Sequence, residues 1–297
     1  MPVFLGLDCG GSSTRAVAVD SQGTRIFAGQ AGAGNLANTP QDQLRRNLRM
    51  ATQNCPIPDF VCGCFAGLMD DEGRRQAKQL LKEIFPNAAV RAEPDFVATL
   101  KACEGTDICV IAGTGSLVCS SNAGMPVKSG GRGYLLGDEG SAYRFGRDAL
   151  NSYLDAPEKA SEKLTTEIEN LFGTREPSQV IVRLYRSRTP AGLLAKLVKP
   201  LAADAKAGIP YALQSMEDNL LALSRVVKGH VDMYFPGAGS VTMTLAGGLW
   251  KSSGMFKQSF ALQLSRTMAD LELQIDTIKR PPVEGAVELA KEIRIGN

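Results

Sequence analysis

The chain carries the same pattern of strands and turns twice, and this repeat limits its fold more than any other feature. The segment "FLGLDCGGSSTRAVAVDSQGTRIFAG" reads as strand, glycine turn, strand, tight turn and strand. The later segment "ICVIAGTGSLVCSSNAGMPVKSGG" follows the same order. Alternating apolar residues between turn residues predict three antiparallel strands in each segment. The repeat therefore predicts a duplicated domain, with the break near Glu104–Gly105.

Helices are expected between the remaining strands of both halves, which indicates an α/β fold with two layered-sheet domains. The first domain is expected at residues 1–104 and the second at 105–281, with a mostly helical insertion from about residue 146 to 231. The net charge of +2 gives no basic field of the kind that nucleic-acid binding requires. Gly, Ser, Thr or Pro interrupts each uncharged run, so no membrane span is predicted.

Cysteine and histidine usage narrows the chemistry. The seven cysteines are odd in number and include no C-x-x-C pair, which favours reduced thiols in a cytoplasmic protein. Cys62 and Cys64 are the one pair that suggests half of a metal or cluster site, and the alternative is two small buried residues on a strand. His230 is the only histidine, which excludes sites that need two from one chain. It is expected to be solvated or to cap a helix end.

A glycine turn follows the first strand and an acid. Glycines there allow backbone N–H groups to converge on an anion, and hydroxyl groups add further donors. The turn contains Gly10, Gly11, Ser12, Ser13 and Thr14. No G-K-[ST] sequence is present and no helix follows, so neither a P-loop nor a dinucleotide fingerprint is predicted. Asp8, just before the turn, is expected to hold Mg²⁺ directly or through water, or else to cap the turn.

The second half has an equivalent turn of Gly113, Thr114, Gly115 and Ser116. Either turn alone is weak evidence, since an ordinary glycine hairpin has the same pattern, but two at equivalent positions predict a two-sided clamp for a polyphosphate. Asp95 ends a later strand of the first half. It is expected to act as a base in phosphoryl transfer or to cap the following helix, and the two roles are compatible.

Two other glycine-rich segments are candidates for ligand contact. The stretch from Gly130 to Leu150, which includes Gly131, allows close backbone approach, and its Asp138 is expected to accept hydrogen bonds from ligand hydroxyl groups. Gly247 and Gly248 end a late strand, where their small size suits contact with a nucleotide base.

The order of the motifs "LDCGGSST", "EPD", "AGTGS", "GGRGYLLGDEGS", "LAGGL" and "PPVEGA" resembles the N-acetylglucosamine kinase family. That family belongs with the BadF/BadG/BcrA/BcrD-type ATPases among the actin-like sugar kinases, and the resemblance runs from about residue 3 to 290. It implies two ribonuclease-H-like domains with ATP, Mg²⁺ and a sugar in the cleft between them. It also implies that a terminal helix, about 282–297, returns to the first domain.

The resemblance assigns roles to individual residues. It matches Asp8 and the first glycine turn to one phosphate motif, the second turn to another, and the glycine pair 247–248 to the adenosine motif. Asp95 matches the base that activates a sugar hydroxyl, which is expected to be the 6-hydroxyl. The expected sugar-binding set is Asn35, Ser116, Gly131, Arg132 and Asp138.

Two departures from the family pattern bear on the substrate. Family members commonly have Asn-Asp where this chain has Pro94-Asp95, and many have Trp where it has Arg132. The cation of Arg132 leaves room for an acidic sugar of the muramic acid type. The main hypothesis is therefore an ATP-dependent kinase of N-acetylglucosamine, glucosamine or N-acetylmuramic acid, with a homodimer left open. The alternatives are an ATPase activator of a 2-hydroxyacyl-CoA dehydratase or benzoyl-CoA reductase, and a non-catalytic sugar sensor.

Overall fold

The computed structural model of the protein describes residues 1–103 and 105–293. Contacts within the chain divide it into two compact units. Unit 1 is Met1–Gly105 with Ile278–Asn297, and unit 2 is Thr106–Thr277. The predicted break at Glu104–Gly105 includes Glu104, which lies outside the described residues, as do residues 294–297 of the predicted terminal segment.

Each unit is built on one mixed β-sheet. The strands of unit 1 are β1 (Phe4–Cys9), β2 (Thr14–Val19), β3 (Arg25–Ala31), β4 (Phe60–Phe65) and β5 (Ala89–Pro94). Those of unit 2 are β6 (Ile108–Ala112), β7 (Ser116–Asn122), β8 (Met125–Gly130), β9 (Ser240–Ala246) and β10 (Glu272–Thr277). Within the described residues, the sheet orders are β3-β2-β1-β4-β5 and β8-β7-β6-β9-β10.

The two sheets have the same strand directions. The first three strands of each pair antiparallel as a meander, and the first strand of each also pairs in parallel with the fourth, which pairs in parallel with the fifth. The predicted duplication is thus confirmed, strand by strand. Parallel pairing brings the carboxyl ends of β1, β4 and β5 to one edge of unit 1, and those of β6 and β9 to one edge of unit 2.

Helices cover both sheets. They are α1 (Gln41–Ala51), α2 (Asp71–Ile84), α3 (Asp95–Ala102), α4 (Ala142–Asp155), α5 (Glu162–Phe172), α6 (Pro177–Tyr185), α7 (Pro190–Ala195), α8 (Val198–Lys206), α9 (Pro210–Tyr234), α10 (Gly248–Ser252), α11 (Gly254–Thr267) and α12 (Pro282–Glu292). The predicted helical insertion corresponds to α4–α9. Of the helices in the described ranges, none has the length and apolar character that crossing a bilayer would require.

The terminal helix α12 packs in unit 1, against β1 and α3. The approach is close because glycines stand at the contacts. A Cβ atom on Gly6 of β1 would lie 2.4 Å from the backbone N of Val287, and one on Gly285 would lie 2.0 Å from the Ala98 carbonyl oxygen. A side chain at either position would therefore separate the helix from the sheet or from α3.

Candidate active site

The glycine turn of unit 1 joins β1 to β2. The Gly10 amide donates to the Ser13 carbonyl oxygen over 2.9 Å, and the Gly34 amide donates to the Gly10 carbonyl oxygen over 2.9 Å. Gly11 and Ser12 are exposed, and a Cβ atom added to Gly11 would meet nothing within 4 Å. The tip of the turn therefore has open space on the side where a side chain would project.

Thr14, the first residue of β2, is fully buried. Its Oγ1 atom has no hydrogen-bond partner among the described residues. A buried hydroxyl without a partner carries a desolvation cost. A bound anion or ordered water beside the turn would remove that cost, which fits the predicted phosphate-binding role.

Asp8 lies at the carboxyl end of β1, beside the turn. The pKa of its carboxyl is raised from 3.8 to about 6, mainly by burial and then by the negative charge of Asp95, while Arg15 opposes the change. Two ionised carboxylates that lie close together in a partly buried site repel each other, and a bound cation relieves that repulsion. The pair fits a divalent metal ion, which would favour the ionised form of Asp8.

Asp95 is the first residue of α3, directly after β5, and Pro94 takes the N-cap position. The expectation that Asp95 caps the helix is therefore wrong, because proline lies at the boundary and Asp95 is already helical. The structure brings Asp8 and Asp95 near enough to interact electrostatically. Both stand at the carboxyl ends of parallel strands, where α/β folds bind ligands.

Asn35 lies in the loop that follows β3. Its Oδ1 atom accepts hydrogen bonds from the amides of Ala37 (2.9 Å) and Asn38 (3.0 Å). The adjacent Leu36 amide donates to the Ala66 carbonyl oxygen just beyond β4. The loop is thus fixed at the edge of the sheet where β4 ends. The Asn35 side chain is held by backbone amides of residues that follow it in the loop.

The turn of unit 2 lies between β6 and β7. The Gly113 amide donates to the Gly115 carbonyl oxygen over 2.8 Å, and the Ala142 amide at the start of α4 donates to the Gly113 carbonyl oxygen over 2.8 Å. Thr114, at the tip of the turn, is exposed. The turn is therefore held by its own backbone and by α4, with its tip free.

Gly247 and Gly248 lie against this turn. Gly247 has a φ of +107°, and a Cβ atom there would lie 2.2 Å from the Ala112 carbonyl oxygen. A Cβ atom on Gly113 would lie 3.8 Å from the Gly248 amide nitrogen. The predicted phosphate and adenosine motifs of this half are thus neighbours. The short helix α10, which begins at Gly248, was not predicted.

Ser116 and Asp138 meet beside the same turn. The Ser116 amide donates to Asp138 Oδ1 over 3.2 Å, the Ser116 hydroxyl donates to the Glu139 carbonyl oxygen over 2.7 Å, and the Ser116 carbonyl oxygen accepts from the Gly131 amide over 3.1 Å. Ser116 is buried and its polar groups hold the loop of residues 131–141, here called the glycine loop. The sequence did not predict this anchoring role.

Asp138 adopts a left-handed conformation, with a φ of +62°, and only 7% of it is exposed. Burial raises the pKa of its carboxyl, the Ser116 amide lowers it, and Glu139 and Arg144 add smaller opposing effects. Arg144 also donates from Nε and Nη2 to the Gly137 carbonyl oxygen, over 3.1 and 2.8 Å. Arg144 was not predicted as a site residue, and its place in the first turn of α4, beside the glycine loop, was the available signal.

Other parts of the glycine loop are exposed. Arg132 is exposed, and Leu135 and Leu136 are 78% and 77% exposed. Gly131 has a φ of +65°, so the chain reverses there as it leaves β8. The structure places Gly131 next to Ser116, whereas the Arg132 side chain has no ion-pair partner within the described ranges.

The cysteine pair that suggested half of a metal or cluster site lies inside unit 1. Cys62 and Cys64 are fully buried on β4, with Sγ atoms 3.9 Å apart, so neither thiol reaches the surface. The described residues contain no group of three or more His, Cys, Asp or Glu that could hold a metal ion.

The expectation that His230 is solvated or caps a helix is wrong. It is fully buried within α9.

The two sheets of equal topology, each with a glycine turn after its first strand, define the duplicated ribonuclease-H-like fold of the actin-like ATPases. A protein from Chromobacterium violaceum, described as a candidate N-acetylglucosamine kinase, shares this fold with a TM-score of 0.75 and 20% identity, covering 98% of this chain and 99% of that one. The predicted fold class is confirmed.

The chain belongs to the BadF/BadG/BcrA/BcrD ATPase family, which it matches over residues 5–290. It is 23% identical to an N-acetylmuramic acid/N-acetylglucosamine kinase of Clostridium acetobutylicum, over 98% of this chain and 99% of that protein. It is 25% identical to an N-acetyl-D-glucosamine kinase of Dictyostelium discoideum, over 67% of this chain and 70% of that protein. The resemblance predicted from the motifs is confirmed.

Proposed function

We propose that this protein transfers the γ-phosphoryl group of ATP to a hydroxyl group of an amino sugar, with Asp95 as the general base. The observation that carries the proposal is that Asp95 and Asp8 lie near enough to interact electrostatically, at one edge of unit 1 and beside the glycine turn. The family is named for its ATPases, and both curated relatives are amino sugar kinases. These findings confirm the broader class, an ATP-dependent sugar kinase.

Asp95 performs the acid–base step in this proposal. Its carboxylate accepts the proton of the attacking sugar hydroxyl, which we assign to the 6-hydroxyl, as that oxygen forms its bond to phosphorus. The bond from phosphorus to the bridging oxygen of ADP breaks at the same time.

The two glycine turns bind the phosphate groups. In unit 1, Gly10–Thr14 supplies amides and hydroxyl groups, including the unpartnered Thr14 hydroxyl. In unit 2, Gly113, Thr114 and Gly115 supply the second set, and Gly247 with Gly248 contacts the adenosine. Asp8 would hold Mg²⁺, which neutralises negative charge on the phosphates when it is bound.

The residues proposed to recognise the sugar are Asn35 of unit 1 and a set in the glycine loop and turn of unit 2. Asp138 accepts from sugar hydroxyl groups, and Asn35 binds another hydroxyl. Ser116 and Gly131 fix the backbone of the glycine loop around Asp138. Arg132, a planar cation without an ion-pair partner in the described part of the chain, pairs with the carboxylate of an N-acetylmuramic acid substrate.

A coupled assay of ADP release tests the proposal. The sugars are glucosamine, N-acetylglucosamine, N-acetylmuramic acid and glucose, each at several concentrations with ATP and Mg²⁺. Release with at least one amino sugar, and loss of release with its 6-deoxy analogue, is the expected result. Phosphorus NMR of the product then identifies the esterified oxygen. Silence with every sugar, together with normal ATP binding, would favour the sensor or activator hypothesis instead.

A further inference from the structure

His230 connects helix α9 to two strands of the unit 2 sheet. It is fully buried, and both ring nitrogens have hydrogen-bond partners. Nδ1 lies 2.8 Å from the Ser129 hydroxyl on β8, and Nε2 lies 2.9 Å from the Ser120 hydroxyl on β7. Burial lowers the pKa of the imidazole from 6.5 to about 4, so the ring is neutral near pH 7.

A neutral imidazole carries one donor and one acceptor nitrogen, and a serine hydroxyl is able to serve either. The two bonds therefore satisfy both nitrogens of the fully buried ring. Ser120 is fully buried, whereas Ser129 is partly exposed. Ser129 is also the residue before Gly130, where β8 ends and the chain turns into the glycine loop. The hydrogen bond to Ser120 thus connects His230 to the interior of the sheet. The hydrogen bond to Ser129 connects it to a residue next to the start of the loop.

The same helix contacts both ends of the glycine loop. At the start, a Cβ atom on Gly130 would lie 3.5 Å from a methyl group of Val226, one helical turn before His230. At the end, a Cβ atom on Gly140 would lie 2.7 Å from Cβ of Leu223 and 3.0 Å from the Asn219 carbonyl oxygen. Helix α9 is therefore a rigid support for the loop that carries Arg132 and Asp138.

We propose that His230 is a positioning residue for substrate recognition, which acts through Ser129 by fixing the start of the glycine loop. The proposal rests on the proposed function, because it assigns the sugar to this loop. The Ser129 hydroxyl is the polar link between the helix and the loop start. Its loss frees the loop to move relative to the turn at Ser116, without changing the residues that touch the sugar.

The test compares two variants that each remove one bond to His230. Ser129→Ala removes the link to the loop start, and we expect it to raise the sugar KM about fivefold, in keeping with the loss of one hydrogen bond, at nearly unchanged kcat and ATP KM. Ser120→Ala removes the more deeply buried bond, and we expect it to lower the melting temperature while the sugar KM stays within about twofold of wild type. Ser129→Thr keeps the hydroxyl and is expected to restore the wild-type sugar KM.

A purely structural role for His230 predicts a different result. Ser120→Ala and Ser129→Ala would then change the sugar KM equally, or Ser129→Thr would fail to restore it, and either outcome overturns the proposal. His230→Asn and His230→Gln give an independent check, since the Asn amide reaches the position of Nδ1 and the Gln amide that of Nε2. Asn is expected to keep the sugar KM of wild type, and Gln to raise it as Ser129→Ala does.

Hydrogen exchange measured without any sugar separates this proposal from the proposed function. The amides of Gly131, Gly137 and Ser141 are hydrogen-bonded within or beside the loop. We expect them to exchange about fivefold faster in Ser129→Ala than in Ser120→Ala, each compared at its own stability. Equal exchange in the two variants refutes the loop anchor even if the enzyme is active. Faster exchange with no sugar kinase activity supports the anchor and refutes the proposed function alone.

Discussion

Oδ1 of Asp138 lies 3.2 Å from the backbone nitrogen of Ser116, so one carboxylate oxygen accepts a hydrogen bond from the last residue of the unit 2 turn, where β7 begins. The same carboxylate packs against Gly115, where a Cβ atom would lie 2.9 Å from Oδ2. Asp138 therefore joins the glycine loop to the proposed phosphate turn, and a change at Asp138 is expected to alter loop position as well as sugar binding.

Two substitutions of Asp138 distinguish the effect of its charge from the effect of its hydrogen bond to the Ser116 amide. Asp138→Asn keeps an oxygen for the Ser116 amide and tolerates the left-handed φ of +62°. We expect the sugar KM to rise about tenfold, because a charge-assisted hydrogen bond becomes a neutral one, with a nearly unchanged melting temperature. Asp138→Ala is expected also to lower the melting temperature. A wild-type sugar KM in Asp138→Asn would exclude the proposed contact with the sugar.

Asp95 is tested by removing its charge and keeping its shape. Asp95→Asn is expected to lower kcat by about 10²–10⁴-fold, the usual contribution of a general base, while ATP still binds. Calorimetric titration with ATP measures that binding. Asp71 begins α2 as Asp95 begins α3, so Asp71→Asn is the matched control and should keep full activity. Comparable kcat values for the two variants would refute the assignment of the base.

Asp8 makes the stability of the free protein depend on pH. Its carboxyl has a pKa of about 6 in the folded state against 3.8 ordinarily, so the folded protein binds that proton more tightly than the unfolded chain does. The resulting stabilisation is complete below about pH 4 and is lost as the pH rises through about 6. Asp8→Asn has no carboxyl group at this position that ionises as the pH rises. We expect this variant to be inactive but more stable than wild type at pH 8, by about 1–3 kcal/mol.

Thermal unfolding at pH 4 and pH 8 without nucleotide or Mg²⁺ measures the effect of Asp8. The difference between Asp8→Asn and wild type is expected to be small at pH 4 and large at pH 8. Asp71→Asn, at an exposed helix start, controls for the general loss of one negative charge. An equal difference at the two pH values would contradict the raised pKa of Asp8.

Gly247 and Gly248 are adjacent but differ in the room around them. A Cβ atom on Gly247 would collide with the Ala112 carbonyl oxygen, whereas one on Gly248 would meet nothing within 4 Å. We expect Gly247→Ala to destabilise unit 2 by about 2 kcal/mol or more, since strain and overpacking combine. Gly248→Ala is expected to keep the melting temperature and to raise the ATP KM. If Gly248→Ala left the ATP KM unchanged, this glycine would not contact the nucleotide.

Arg132 is expected to determine whether an acidic sugar is preferred. Arg132→Gln should raise the KM for N-acetylmuramic acid about tenfold, since a charge-assisted pair with the sugar carboxylate is lost. The KM for N-acetylglucosamine, which has no carboxylate, is expected to stay within about twofold of wild type, because that sugar does not engage the cation. Steady-state kinetics with both sugars measures the ratio. An equal change for the two sugars would show that Arg132 does not recognise the carboxylate.

Local patterns in the sequence predict much of the fold. The meanders β1–β3 and β6–β8 follow from alternating apolar residues between turn residues, and each predicted turn is present. Boundaries were harder to predict where proline precedes the proposed base. Pro94 ends β5 and also occupies the N-cap of α3, so Asp95 belongs to the helix instead of capping it.

The site was only partly predictable, because tertiary contacts determine several of its residues. His230 stands in "KGHVD", whose Lys, Gly and Asp suggest an exposed helix end. The helix continues to Tyr234, and His230 continues the buried line of Leu223 and Val227 at helical spacing. That spacing was the available signal. No sequence signal indicated the hydrogen bond between Ser116 and Asp138, since the two residues are 22 positions apart.

The terminal helix α12 has a consequence for synthesis of the protein. Asp8 and Asp95 are supported by β1 and α3, and both elements pack against α12, whose first residue is Pro282. A ribosome that has translated residues 1–105 has therefore made most of unit 1 without its last piece, and must still produce all of unit 2 before α12 emerges. The two acids thus obtain their full support only after residues 282–292 have been made, so a chain that stops before Pro282 lacks that support.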